Sequence, residues 1–122
     1  MPKKILVIDD EPELIKAIEI RLQVAGFETL SASDGMEGLE KAREEKPDLI
    51  ILDVMLPNMD GYQVCTLLKR DDQYKGIPII ILTARTQLTD EKRARECGAD
   101  IFVTKPFQHE ELVAKVREFL KE

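Results

Sequence analysis

The sequence predicts one doubly wound α/β domain, a single five-stranded parallel sheet with helices on both faces. Three observations carry this. Short runs of Ile, Leu and Val alternate five times with longer stretches of helical periodicity. The run Leu49-Ile50-Ile51-Leu52 is apolar without alternation, as a central parallel strand covered on both faces should be. Four of the strand-like runs also stop at chemically capable residues, namely Asp9-Asp10, Asp53, Thr83 and Lys105-Pro106. The carboxyl edge of an open α/β sheet is where such folds hold their ligands.

The first strand is Lys4-Ile5-Leu6-Val7-Ile8. Glu13 to Ala25 follows as a helix, because Leu14, Ile15, Ile18 and Leu22 form one stripe and Gly26 can terminate it. Phe27 to Ala32 reads as a weaker, edge-like strand. Ser33 or Asp34 can cap the next helix, which carries Leu39 and Ala42 and stops before Pro47. Beyond the central strand, Tyr62 to Lys69 is a helix with Val64, Leu67 and Leu68 inward, and residues 71–76 form a polar loop into Ile79-Ile80-Ile81-Leu82. Asp90 to Cys97 is a charged helix with little to bury, which predicts mobility, and Gly98 supplies its C-cap. After the strand Ile101-Phe102-Val103-Thr104, the last helix runs from His109 to Leu120. It offers Leu112, Val113, Val116, Phe119 and Leu120 for packing, although Gln108 is a poor N-cap.

A chain of 122 residues is expected to form one domain over 1–122, with a hydrophobic content of 43% and a charged content of 34% that fit a globular protein. The formal charge of -6 argues against a direct nucleic-acid surface. No apolar run approaches the roughly 20 residues of a membrane helix, and Met1-Pro2-Lys3-Lys4 leads straight into a strand rather than a signal-peptide core. A cytoplasmic location is expected. Cys65 and Cys97 stand isolated and match no zinc or redox spacing, so they read as thiols of a reducing compartment. His109 reads as a solvated first-turn residue, and Met55 and Met59 as loop and core packing. Lys92, Arg93 and Arg95 form either a solvated face or a partner surface.

If the first and third strands are neighbours, Asp9, Asp10 and Asp53 meet within a few ångströms. Like charges that close need a cation or protons to neutralise them. A hard divalent ion such as magnesium, with manganese as the alternative, is the economical answer. Lys105 adds a positive charge from the opposite side, positioned by Pro106, and can pair with Asp53 at rest. Thr83 ends the strand between them with a hydroxyl, and Ala84 leaves space above it. One carboxylate nucleophile, one cation and two neutralising donors make a template for phosphoryl transfer.

These residues, with the stretch Asp48 to Gly61 and the tripeptide Lys105-Pro106-Phe107, resemble the receiver domain of two-component response regulators over nearly the whole chain. The resemblance implies a (βα)5 flavodoxin-like fold with strand order 2-1-3-4-5. It implies that Asp53 accepts a phosphoryl group from a phosphohistidine of a sensor histidine kinase or histidine phosphotransfer protein. Asp10 would bind magnesium directly, Asp9 through water or by assisting its placement, and Met55 through its backbone carbonyl. Lys105 and Thr83 would bind the phosphoryl oxygens, and Phe102 would be the aromatic switch that turns inward as Thr83 moves. Phe102 lacks a phenolic hydroxyl, so that switch would rest on packing. Met55 and Arg85 would flank the water that slowly hydrolyses the acyl phosphate, and an apolar Met55 should not accelerate it. Pro57 and Gly61 look like the fixed points of the loop after Asp53.

Output is expected through a downstream protein target, or through an effector domain of which this would be the N-terminal receiver. In receivers joined to winged-helix DNA-binding domains, dimers commonly form through the fourth helix, fifth strand and fifth helix. This chain keeps Asp100, Glu111 and a basic Arg93 of that face. Glu91, Arg95 and Ile101 depart from it, which favours a monomer. Three rivals compete. A flavodoxin-like carrier wants a phosphate-binding loop where Asp10-Glu11-Pro12 stands. A phosphohydrolase wants a second acid and a cap. A receiver-like module that is never phosphorylated has no need of an intact site.

Overall fold

Five strands form one parallel sheet: Lys4–Ile8 (β1), Glu28–Ala32 (β2), Leu49–Asp53 (β3), Ile79–Ala84 (β4) and Ile101–Lys105 (β5). Their order is β2-β1-β3-β4-β5. The helices are Pro12–Val24 (α1), Gly35–Glu45 (α2), Gly61–Lys69 (α3), Glu91–Glu96 (α4) and His109–Leu120 (α5). This computed structural model describes residues 2–84 and 91–121. The predicted fold and strand order are what it contains.

The sheet divides the core in two because successive side chains of a strand point to opposite faces. Leu6, Ile8, Ile50, Leu52, Ile79 and Ile81 pack with Leu39 and Ala42 of α2 and Val64 and Leu68 of α3. Ile5, Val7, Leu49, Ile51, Ile80 and Leu82 pack on the other side with Ile15, Ile18 and Leu22 of α1 and Leu112 and Val116 of α5. Each such side chain, fully withdrawn from water, contributes about 2 kcal/mol. Both faces are thus covered, as the unbroken apolar run of β3 requires.

The helix starts follow local chemistry. Asp34 Oδ1 accepts the Glu37 N–H at 2.8 Å and caps α2. Asp60 and Gln63 form a reciprocal capping box at α3. No side chain caps α5 at Gln108. The first helix begins one residue earlier than the expected Glu13, at Pro12, where the missing N–H costs nothing. Two expectations are corrected. Leu67 is 42% exposed, since Val64 and Leu68 already fill the inward face of α3. His109 is only partly solvated: the residue is half-buried, its Nδ1 is covered, and the ring meets Phe107 edge-on at 5.4 Å. Among the described residues no helix is long and apolar enough to cross a membrane.

Candidate functional site

The site forms where β1, β3, β4 and β5 end together. Asp9 follows β1, held by its N–H to Ala32 O at 3.1 Å. Its side chain is wholly buried, and Oδ1 accepts the Glu11 N–H at 2.9 Å. Asp10 is exposed beside it. Asp53 ends β3 with 5% exposure, and its Oδ1 accepts the Val54 N–H at 3.0 Å. Direct pairing of β1 with β3, Ile8 opposite Leu52, places these acids side by side. Asp9, Asp10 and Asp53 each offer a carboxylate oxygen, all within 4.8 Å of one another.

Lys105 ends β5 and enters this acidic cluster from the other side of β4. Its Nζ lies 3.3 Å from Asp53 Oδ1, 3.5 Å from Asp9 Oδ2 and 3.7 Å from Glu11 Oε1. The Lys105–Pro106 peptide is cis. Thr83 is buried on β4, and its hydroxyl donates to the Ala84 carbonyl at 3.2 Å. Phe102 on β5 is partly buried against the α2 and α3 side of the core.

Burial dominates the electrostatics. It pushes the Asp53 carboxyl up to about 6, helped by the negative charge of Asp9 and opposed by Lys105 and the Val54 N–H. Burial also raises Asp9, against the Glu11 N–H and Lys105. The Lys105 ammonium rises above its ordinary value despite its own burial, because Asp53 and Asp9 face it. Among the described residues the balance is unequal, with one ammonium against two buried carboxylates and the exposed Asp10 and Glu11. Among the described residues Asp9 Oδ2 accepts no hydrogen bond, the Lys105 ammonium standing 3.5 Å away. A buried orphan oxygen inside an all-oxygen donor set fits a hard divalent cation.

The loop after Asp53 is held from below. Gly61 N–H donates to Val54 O at 2.8 Å, and a Cβ on Gly61 would stand 2.1 Å from Asp53 O. Pro57 O accepts from Met59 N–H at 2.8 Å and from Gly35 N–H at 3.3 Å. Between them Asn58 takes φ of 71°, a left-handed conformation that asparagine tolerates. The Met55 side chain is 64% exposed. Arg85 lies outside the described residues.

Sequence reasoning missed Glu11 as a partner of Lys105, the buttress at Gly35 and the turn at Asn58. An Asn before an apolar residue and an Asp-Gly pair was a usable signal for the turn; the others are long-range contacts with no local mark. Arg93 is exposed on α4, as are Lys92 and Arg95, and it is also engaged within the chain. Its Nη2 lies 2.8 Å from Asp60 Oδ2, and its guanidinium sits 4.9 Å from the centre of the Tyr62 ring. Asp100 is likewise engaged within the chain, 2.8 Å from Lys69 Nζ and accepting the Ile79 N–H.

Comparison with known proteins gives a consistent result. The family profile described as the response regulator receiver domain matches residues 5–117. The chain is 46% identical over 121 residues to the alkaline phosphatase synthesis transcriptional regulatory protein PhoP of Bacillus subtilis, covering 99% of this chain and 50% of that protein. It spans about half the length of the curated relatives it matches. Among solved structures, a putative response regulator from Chloroflexus aurantiacus superposes with a TM-score of 0.92 at 34% identity, each chain fully covered. The receiver domain of a sensor histidine kinase from Pseudomonas aeruginosa, solved with magnesium in its active-site cleft, gives 0.90 at 26% identity, again with full coverage of both.

Proposed function

The chain belongs to the response regulator receiver domain family, and from that premise we propose that Asp53 is its phosphoacceptor, charged by a phosphohistidine of a sensor kinase or phosphotransfer protein. The observation that supports this most strongly is the convergence of Asp9, Asp10, Asp53 and Lys105 at one sheet edge, with the ammonium 3.3 Å from the proposed nucleophile. Asp53 attacks phosphorus through a carboxylate oxygen, the phosphorus–nitrogen bond breaks, and the imidazole leaves with a proton. Most of the catalysis in such a transfer is positioning and charge neutralisation.

Receiver domains bind magnesium in an acidic pocket, and here we assign it to Asp9, Asp10, Asp53 and the carbonyl of Met55. When bound, the ion neutralises the carboxylates and the incoming phosphoryl oxygens. Lys105 exchanges part of its pairing with Asp53 for a phosphoryl oxygen. The Thr83 hydroxyl gives up the Ala84 carbonyl to reach the same group, and Phe102 follows by packing. Met55 borders the path of the hydrolytic water, and its exposed, apolar side chain gives that water no hydrogen bond. Output passes to a downstream protein or an effector domain.

Intact mass after incubation with acetyl phosphate and magnesium tests this reading. The expected result is a gain of one phosphoryl group that chelator and Asp53→Asn both abolish. A gain that survives Asp53→Asn places the acceptor elsewhere.

A further inference from the structure

Cys65 and Cys97, isolated in the sequence, meet in the fold. Cys65 lies on α3 with no exposed surface, and Cys97 is the first residue after α4, 2% exposed. The Cys65 thiol donates to the Cys97 carbonyl at 3.3 Å, which brings the two residues together. They share one apolar cluster with Leu68 and Ile79. No step of phosphoryl transfer uses either sulfur.

We propose that Cys65 and Cys97 are a dithiol that a small-molecule disulfide converts into an intramolecular disulfide, tying the end of α4 to the middle of α3. Residues already brought together need little backbone movement to close a bond of this kind. The Cys65 S–H and the Ala99 N–H draw the Cys97 thiol below its ordinary range, and the same contact with burial drives Cys65 above it. Cys97 is therefore the attacking thiolate. It bonds to one sulfur of the reagent, whose other half leaves as a thiolate and takes up a proton. Cys65 then loses its proton and displaces the second half. Two protein thiols and one reagent disulfide become one protein disulfide and two reagent thiols. Because both sulfurs are buried, the first attack waits for local opening of α4, a helix of only six residues.

The test incubates the whole chain with 2-hydroxyethyl disulfide, quenches with acid, and reads intact mass and peptide map. The expected product is lighter by two hydrogens, joins the Cys65 and Cys97 peptides, and reverts with dithiothreitol. It should form faster than the folded chain globally unfolds. Cys65→Ser should instead collect a mercaptoethanol adduct at Cys97. Wild-type chains that accumulate adducts without closing, or that close only at the global unfolding rate, overturn the proposal.

Discussion

Lys105 Nζ reaches past β4 to lie 3.3 Å from Asp53 Oδ1, so the ends of two non-adjacent strands are joined by charge. The same ammonium serves Asp9 at 3.5 Å. Among the described residues one cation between two buried carboxylates leaves a surplus of negative charge, and the surplus sets how the protein responds to pH, metal and substitution.

Without metal, stability should fall as pH rises from about 4 to about 6. Asp53 has an ordinary value of 3.8 and a folded value of about 6, so the folded state holds a proton that the unfolded chain releases. The advantage is complete below the unfolded value and gone above the folded one, and amounts to about 3 kcal/mol. Asp9, also raised, acts in the same direction. Urea denaturation in chelator at several pH values checks this, and Asp53→Asn should flatten the curve across that window and be the more stable protein at pH 7.

Magnesium should reverse the penalty. At a concentration 100 times its dissociation constant it adds about 2.7 kcal/mol. Melting curves with and without the ion measure the gain, which Asp9→Asn and Asp10→Asn should each reduce, because each withdraws an oxygen donor from the cluster.

Lys105→Met keeps the side chain's length and removes its charge. The Asp53 carboxyl should then titrate higher than in the wild type, since one of the groups opposing its burial is gone. Carbon-13 titration of the labelled carboxyl measures that shift. Phosphorylation by acetyl phosphate should slow by about two orders of magnitude.

Gly61→Ala should cost roughly 1–3 kcal/mol, because its methyl would meet Asp53 O and the Val54 Cα, both backbone atoms that cannot move aside. Gly76→Ala is the control, with open space around the added carbon. Denaturation midpoints compare them.

Asp60→Ala removes the α3 cap and the carboxylate held by Arg93 in one step. The cap alone accounts for about 1 kcal/mol. Hydrogen exchange should show α4 losing protection together with the start of α3, whereas a change confined to α3 would mean that the Arg93 pair contributes nothing to holding α4.

The sheet was readable because β1, β3 and β4 are nearly pure Ile, Leu and Val, and such runs have few other places to go. The site was readable for a related reason: a charged or hydroxyl residue directly after a buried strand is fixed at the sheet edge by register alone. Contacts between distant helices and loops were not. Arg93 and Asp60 are 33 residues apart, Cys65 and Cys97 are 32, and neither periodicity nor capping encodes such a meeting. Leu67 failed because a helical stripe gives a direction to within one neighbour, and Val64 and Leu68 fixed it on the other side. His109 was only half right because one edge of its ring meets Phe107, a neighbour two residues away that no pattern rule weighs.

The site's residues are spread over four strands, and the lysine arrives with the last of them. During synthesis the acids are complete at residue 53, long before their counter-charge exists. A nascent or truncated chain lacking β5 would hold those carboxylates at an unfinished sheet edge without the Lys105 ammonium. The charge balance of this pocket is therefore deferred to β5, however early in the chain its acids are laid down.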